Sequence, residues 1–371
     1  MDTMTDSLPP ADWQQRWNSG WVYSDRISIS VAGQKALDFY VEHYAHSDRS
    51  VWLERFEQGQ IQLDGNVCEA GTLLTAGAGL SYHRPAWQEP AAPRDFRLLY
   101  EDDDLVAVDK PSGLQVLPAA QFLENTLLDV VRERLGADLA PVHRLGRGTS
   151  GLVLFARSAR ARRSLSMALS AGQMKKTYRA LVQGVDLAEQ FTIEQGIGPV
   201  DYPGIGYVHA AVDDGKPSRS HVRVVESRLD AGETLVEVEI PTGRPHQIRI
   251  HLAVAGYPLV GEPLYRSGGR PAQDTPAVGA VPLPGDMGYH LHSMRVSFRH
   301  PSAQVDDDAG DTEDAIGRSA TVGDPPSTDE DRLSADEDRP DMCEERDGWM
   351  TVECTPPPIL RPSTHGGHQT G

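Results

Sequence analysis

HRLGRGTSG, residues 143–151, runs directly into the apolar stretch LVLFA, residues 152–156. Its three glycines match the dinucleotide fingerprint G-x-G-x-x-G, which is a weak signal by itself. A dinucleotide site needs a strand before the glycines and an acidic residue about 20 positions beyond them. Here the apolar stretch follows the glycines, and no Asp or Glu occurs between Asp138 and Asp186. The order of these features argues against a nucleotide cofactor at this motif.

Charge is distributed unevenly along the 371 residues. The net charge is −19, but residues 301–371 hold 18 acidic and 5 basic residues, which leaves 36 acidic and 30 basic residues in 1–300. Residues 144–179 carry nine Lys or Arg and no acid. Such a run is typical of a surface that follows phosphates, because each neutralised phosphate releases counterions. A solvated helix face, balanced by acids elsewhere in the fold, is the alternative.

The three cysteines, Cys68, Cys343 and Cys354, are scattered and lack C-x-x-C spacing. This argues against a disulfide framework or a zinc site and fits a reducing compartment. The first residues, MDTMTD, contain no apolar segment, and no run approaches the roughly 18 apolar residues of a membrane span. We therefore expect a cytoplasmic monomer with no metal, no cofactor and no membrane partner.

The first ninety residues have the pattern of a small separate module. Residues 36–41 and 50–56 have short helical patterns, and residues 60–65 alternate like a strand that enters an Asp-Gly turn. Residues 88–93 contain two prolines and are predicted to be a linker.

The patterns on either side of the central motif predict strands and helices in alternation. Residues 98–114 indicate a strand, an acidic turn, a second strand and a tight turn. Asn125 and Ser158 are expected to cap helices, and residues 220–225 and 235–240 alternate like neighbouring antiparallel strands.

Three motifs in this order resemble those of the RluA-type RNA pseudouridine synthases, which isomerise uridine in RNA. They are the central motif, KTYRALVQG at 176–184, and PTGRPHQIRIHL at 241–252. The resemblance covers about residues 95–360. It implies an α+β fold with a mixed, mostly antiparallel sheet and flanking helices, preceded by a small S4-like domain.

The domain organisation follows from this resemblance and from the acidic composition near the C-terminus. Low hydrophobicity and charge of one sign predict a disordered insertion, placed in a hairpin between strands near 294–300 and 348–354. The predicted segments are a small domain at 1–90, either S4-like or a degenerate packing domain, a catalytic domain at 91–360, the acidic insertion at 305–347, and a flexible tail at 361–371.

The resemblance also implies roles for single residues. The target nucleotide would be flipped out of its helix, Tyr178 would stack on its base, and Arg249 would steady the catalytic carboxylate. Arg144 would occupy the space left by the flipped base or hold its phosphate. The residues expected to contact RNA, which we take to be ribosomal or transfer RNA, are His143, Arg144, Arg147, Arg160, Arg162, Arg163, Lys175 and Lys176.

The chain departs from the family at its reactive group. The family carries an aspartate directly after His-Arg-Leu, where this sequence has Gly146, and Gly148 stands where relatives often have a second acid. A substitute acid could come from Glu262 or from the 101–104 cluster. Because an unpaired buried charge is costly, we expect Arg249 to contact a replacement carboxylate, with Glu262 the leading candidate. Two functions follow: an active uridine isomerase, or an RNA-binding protein that has lost the reaction.

Overall fold

The computed structural model describes residues 12–44, 46–272, 281–303 and 343–363. They form two compact units, of which the smaller comprises residues 14–91 and 200–208 and the larger comprises the rest. Most of the predicted acidic insertion, 305–342, and the tail beyond Ser363 lie outside the described residues. Within the described residues, no helix is long and apolar enough to cross a membrane.

The smaller unit packs two helices against a four-stranded antiparallel sheet ordered β2-β5-β3-β4. Its helices and strand β3 confirm the patterns at 36–41, 50–56 and 60–65. The S4-like assignment of residues 1–90 stays a prediction. The elements are β1 (Gln14–Trp17), β2 (Trp21–Arg26), a 3-10 turn (Ile29–Val31), α1 (Ala36–His43), α2 (Arg49–Glu57), β3 (Ile61–Leu63), β4 (Asn66–Val67), β5 (Gly79–Arg84) and β6 (Gln88–Ala92).

The predicted linker at 88–93 is wrong, because residues 88–92 form strand β6, which pairs with β1. Pro90 cannot donate a backbone hydrogen bond, yet a two-stranded sheet leaves one edge of each strand unpaired, and an edge strand tolerates proline. The two prolines suggested a turn or linker, but the composition did not show that this segment is an edge strand, in which proline is tolerated.

The larger unit is built on an eleven-stranded sheet. Its main path runs in the order β12-β15-β16-β11-β19-β10-β8-β7, with β20 and β21 added beside β19 and β9 beside β10. The elements are β7 (Arg97–Glu101), β8 (Leu105–Lys110), α3 (Leu127–Leu135), β9 (Ala140–Pro141), β10 (Ser150–Ala156), α4 (Ala159–Ser170), β11 (Lys175–Gln183), β12 (Gln190–Glu194), β13 (Ile197–Tyr202), β14 (Gly206–Ala211), β15 (Arg219–Arg228), a 3-10 turn (Leu229–Ala231), β16 (Glu233–Glu239), α5 (Gln247–Val254), β17 (Tyr265–Arg266), β18 (Arg270–Pro271), β19 (Leu291–Arg299), β20 (Cys343–Arg346), β21 (Trp349–Glu353) and a 3-10 turn (Pro358–Leu360).

The two faces of this sheet bury different helices. Because side chains alternate along a strand, Val153 and Phe155 of β10 pack on the face that carries α3 and α5. Leu152 and Leu154 pack on the opposite face, against α4. The apolar run after the central motif is thus a central strand that is buried on both sides. The predicted mixed α+β fold, mostly antiparallel with flanking helices, is confirmed.

Helix ends follow local side-chain chemistry. The Ser158 side chain accepts a hydrogen bond from the Ala161 N–H at 3.0 Å and caps α4, as predicted. The cap predicted for α3 at Asn125 is wrong by one residue, because the Thr126 side chain accepts from the Asp129 N–H. Both are favourable capping residues, so sequence pattern alone does not separate them.

The hairpin predicted around the acidic insertion is present, because β19 and β21 pair in antiparallel register, with Arg295 opposite Glu353. The insertion is shorter than predicted at its C-terminal side. Residues 343–346 form β20, which pairs with β21. A short edge strand rich in charge is a common way to end a sheet.

Strand β10 pairs with β19 in parallel, and this places Gly151 against Ser293. Gly151 has φ +103°, and a Cβ at this position would lie 2.3 Å from the carbonyl oxygen of Ser293. Only glycine permits this approach.

We expect Gly151→Ala to lower the free energy of unfolding by about 2–4 kcal/mol, because it adds both backbone strain and a steric clash. Urea unfolding measures the change. Gly285→Ala is the control, since Gly285 has no positive φ and no atom within 4 Å of its Cβ position. Equal stability of the two variants would contradict the close approach.

Candidate active site

The central motif forms a loop anchored to the turn that follows β8. The Thr149 N–H donates to the Gly146 carbonyl at 3.1 Å and closes a tight turn. The Ser112 hydroxyl donates to the Gly148 carbonyl at 2.8 Å. Lys110 is fully buried, and its ammonium donates to the carbonyls of Leu114 and Arg147. Burial lowers the pKa of Lys110 to about 7. The loop is therefore a rigid platform.

His143 supports this loop from inside. Its Nε2 accepts a hydrogen bond from the Leu154 N–H at 3.2 Å, and burial lowers its pKa to about 3. A neutral imidazole that accepts a backbone hydrogen bond from β10 holds the start of the loop against this strand. His143 thus has a structural contact, and the RNA contact that the motif suggested stays a prediction.

Tyr289 occupies the space beside Gly146 and Gly148. A Cβ at position 146 would lie 3.0 Å from the Tyr289 hydroxyl, and one at position 148 would lie 3.0 Å from the ring. The hydroxyl is also 3.2 Å from Oγ1 of Thr149. Gly146 does not have a positive φ, so the neighbouring tyrosine, and not backbone strain, is what disfavours a side chain there.

Arg249, on α5, forms a buried bidentate ion pair with Glu262. Its Nε donates to Oε2 of Glu262 at 2.8 Å and its Nη2 to Oε1 at 2.5 Å, while Nη1 donates to the Pro284 carbonyl. Burial alone would lower the pKa of Arg249, but its hydrogen bonds to Glu262 raise it above the ordinary value. The contact with Glu262 that the sequence predicted is confirmed.

Glu262 is fully engaged as this partner. Its side chain is 1 % exposed. Beside the arginine, Oε1 also accepts from the backbone N–H groups of Leu264 and Tyr265 at 3.0 and 3.2 Å. A carboxylate whose oxygens already accept four hydrogen bonds is poorly placed to react with a sugar. The geometry favours a supporting role for Glu262 over that of a substitute catalytic acid.

The Arg249 guanidinium also lies over two aromatic rings. Its central carbon is 4.3 Å from the centroid of Tyr289 and 5.2 Å from that of Tyr265. These are cation–π distances. One buried cation therefore positions both the carboxylate of Glu262 and the ring of Tyr289.

Tyr178 faces the same layer of the sheet as Tyr289, α3 and α5. The register between β11 and β19 shifts next to it, and such irregularities commonly redirect a side chain beside an active site. Burial raises the pKa of Tyr178 to about 12. A neutral buried phenol suits stacking better than proton abstraction.

The 101–104 cluster lies too far from Gly146 to supply its missing acid. In the β8–β10 pairing, Gly151 is opposite Lys110 and Ala156 is opposite Leu105. The cluster adjoins the Leu105 end, about 16 Å along the strand from the Gly151 end. Glu101 pairs there with Arg157, and Asp104 with Arg160. The prediction that this cluster could supply the substitute acid is therefore wrong.

The basic run from 144 to 179 does not form one continuous surface. Arg157, Arg160 and Arg179 form ion pairs with acids from other elements. Lys176 is buried, and Arg147 donates to the Gly113 carbonyl while its guanidinium lies over Phe122. Exposed members of the run are Arg144, in the central loop, and Arg160, Arg162 and Arg163, on α4. Lys175 is half-buried.

The exposed arginines lie on different sides of the sheet. Helix α4 packs on the face opposite Tyr178, whereas Arg144 adjoins Leu145, whose side chain lies in the Tyr178 layer. RNA contact by Arg160, Arg162 and Arg163 stays a prediction, and it requires RNA to reach the far face.

Comparisons with known proteins identify the same family that the three motifs resemble. A family model described as RNA pseudouridylate synthase matches residues 104–254. An uncharacterized RNA pseudouridine synthase of Synechocystis is 45 % identical, covering 72 % of this chain and 90 % of that protein. The chain belongs to the RluA-type family of RNA pseudouridine synthases.

Two further relatives extend over much of the chain. RNA pseudouridine synthase 5 of Arabidopsis thaliana is 39 % identical, covering 79 % of this chain and 93 % of the relative. Ribosomal large subunit pseudouridine synthase D of Pseudomonas aeruginosa is 34 % identical, covering 66 % and 77 %. Members of this family are isomerases that convert uridine to pseudouridine in RNA.

Sequence reasoning missed Tyr289 and Thr149. Tyr289 lies 143 positions beyond Gly146 and belongs to none of the three motifs. A lone tyrosine before a strand is more often a core residue. The one available signal was that positions 146 and 148 are both glycine, which suggests that a neighbouring group lies close to them.

We expect Glu262→Ala to lower the free energy of unfolding by about 3–5 kcal/mol, because it leaves Arg249 buried without its anion. Glu194→Ala is the matched control, since Glu194 pairs with Arg219 at the surface and such pairs contribute at most about 1 kcal/mol. Urea unfolding compares the two. A loss below about 1 kcal/mol for Glu262→Ala would show that water or another group replaces the carboxylate.

Proposed function

We propose that this chain isomerises uridine to pseudouridine in structured ribosomal or transfer RNA, as a cytoplasmic monomer. Its family membership and the layer that holds Tyr178, Arg249 and the central loop support the reaction. The free thiols of Cys68, Cys343 and Cys354 fit a reducing compartment.

The reaction imposes three demands on the site. The N-glycosidic bond must break, the uracil must turn, and its C5 must bond to the ribose. A base inside a helix cannot be reached, so the nucleotide has to be flipped out. Tyr178 would hold the flipped base by stacking, and the exposed Arg144 would contact the phosphate beside it. Arg249, held by Glu262, lies over the ring of Tyr289 and fixes this part of the site.

The alternative function is RNA binding without chemistry. Its supporting observations are that position 146 carries no carboxylate and that the Tyr289 hydroxyl lies 3.0 Å from where a Cβ at that position would be. A protein of this kind would flip and hold uridine and would leave it unchanged.

Pseudouridine formation on total RNA separates the two functions. The RNA is taken from cells in which the gene is deleted, so that the target uridine is unmodified, and nucleosides are counted chromatographically after digestion. We expect the purified protein to raise the pseudouridine count. Tyr178→Leu should reduce the rate about tenfold to hundredfold, which corresponds to one lost base stack. Tight binding of this RNA with no new pseudouridine would support the alternative.

The salt dependence of RNA binding locates the phosphate contacts. We expect Arg144→Ala to reduce the slope of log K against log salt by about 0.7–0.9, the value for one phosphate contact. The double variant of Arg162→Ala and Arg163→Ala separates the two interpretations of α4: the RNA contact that the basic run predicts reduces the slope, whereas a solvated helix face leaves it unchanged. Arg346→Ala is the control for removing one exposed charge. A reduced slope for the double variant would show that RNA reaches both faces.

A further inference from the structure

Tyr289 lies beside the points where side chains at positions 146 and 148 would begin. The Tyr289 hydroxyl lies 3.0 Å from the Cβ position of residue 146, and the ring lies 3.0 Å from that of residue 148. Real Cβ atoms rarely approach other atoms so closely, so a side chain at either position would require the tyrosine to shift by a few tenths of an ångström. The hydroxyl therefore stands beside the backbone position from which the family's carboxylate extends.

The surroundings of this hydroxyl hold it in place. Its oxygen is within hydrogen-bond distance of Thr149 Oγ1, and the side chain is only 5 % exposed. The Arg249 guanidinium covers the ring at 4.3 Å. A cation against a phenol stabilises negative charge that develops on its oxygen.

We propose that the Tyr289 hydroxyl replaces the missing aspartate as the nucleophile of the isomerisation. This inference rests on the proposed uridine isomerase activity. Tyrosine is chemically suited to the role, because tyrosines form covalent intermediates and serve as the nucleophile toward sugar carbons in sialidases.

The reaction balances with tyrosine alone. Oη of Tyr289 attacks C1′ of the flipped uridine and forms an Oη–C1′ bond as the C1′–N1 bond breaks. The bonding pair goes to N1 of the uracil, which takes up the phenolic proton. After the uracil turns, C5 attacks C1′ and the Oη–C1′ bond breaks, with its electron pair returning to oxygen. The proton on C5 then passes to the phenolate. The tyrosine is again a neutral phenol, and the product uracil ring carries no charge.

Two carboxylates near the site are less well placed. Glu262 is occupied by Arg249 and two backbone donors. Asp286 is half-buried and accepts the Leu283 N–H at 2.7 Å, but none of its atoms is within 4 Å of the Cβ position of residue 146. The Tyr289 hydroxyl is the nearer group.

Single-turnover kinetics on the RNA from deletion cells test the proposal. Tyr289→Phe keeps the ring and its contact with Arg249 and removes only the hydroxyl. We expect it to lower the rate of pseudouridine formation by about a thousandfold or more while the RNA dissociation constant stays within about twofold, since the ring and its packing are kept. Asp286→Asn should keep the natural rate. Thermal melting verifies that each variant is folded.

A swap of the two groups provides the decisive comparison. Gly146→Asp alone should gain nothing, because its side chain meets the tyrosine hydroxyl. Gly146→Asp combined with Tyr289→Phe removes that contact and should recover activity lost in Tyr289→Phe. An active natural protein with an equally active Tyr289→Phe variant would overturn the role of Tyr289 and leave the proposed function intact. An inactive natural protein with an active double variant would overturn both and identify an emptied site.

Discussion

A buried guanidinium has to be neutralised, and the pairing of Arg249 with Glu262 meets this demand for the whole site. Removing one partner of such a pair typically costs about 3–5 kcal/mol, so the arrangement is strongly held. The same arginine binds the Pro284 carbonyl and lies over the rings of Tyr265 and Tyr289. It thereby positions the segment before β19 against the central loop. The guanidinium that Glu262 neutralises is the same group that contacts the Tyr289 ring beside Gly146.

Local pattern was enough to predict most of the scaffold. The β7–β8 hairpin and the capped helix α4 follow from alternation, capping chemistry and turn residues that act over a few positions. The β19–β21 pairing crosses the acidic insertion, and it was predicted from the family resemblance. The ion pairs within the basic run were not predictable from local pattern, because the acidic partners are distant in sequence. Arg160 pairs with Asp104 and Arg179 with Glu237, each more than fifty positions away. Charge along a chain becomes a surface only when tertiary partners leave it unpaired.

The site was predictable to the extent that a physical demand pointed to it. Arg249 had to find an anion, and Glu262, thirteen positions further along the chain, was close enough to be named. Nothing comparable pointed to Tyr289, because a phenol has no charge that must be paired. Its approach to Gly146 depends on the parallel pairing of β10 with β19, which joins segments about 140 residues apart. The sequence showed that position 146 lacks the family's aspartate, and only the fold showed that the Tyr289 hydroxyl lies beside this position.

The chemical identity of the filling residue distinguishes a replaced catalytic group from an abandoned one. A site that had merely lost its acid could fill the space with any apolar ring, since packing density alone is satisfied by volume. A phenylalanine at 289 would do so without burying a hydroxyl, which is costly unless it is hydrogen-bonded. The chain instead places a hydroxyl there, keeps it within reach of Thr149, and sets a permanent cation over its ring. Packing requires none of these three features, whereas a nucleophile that forms and releases a bond to C1′ needs an oxygen, a fixed direction and a nearby positive charge.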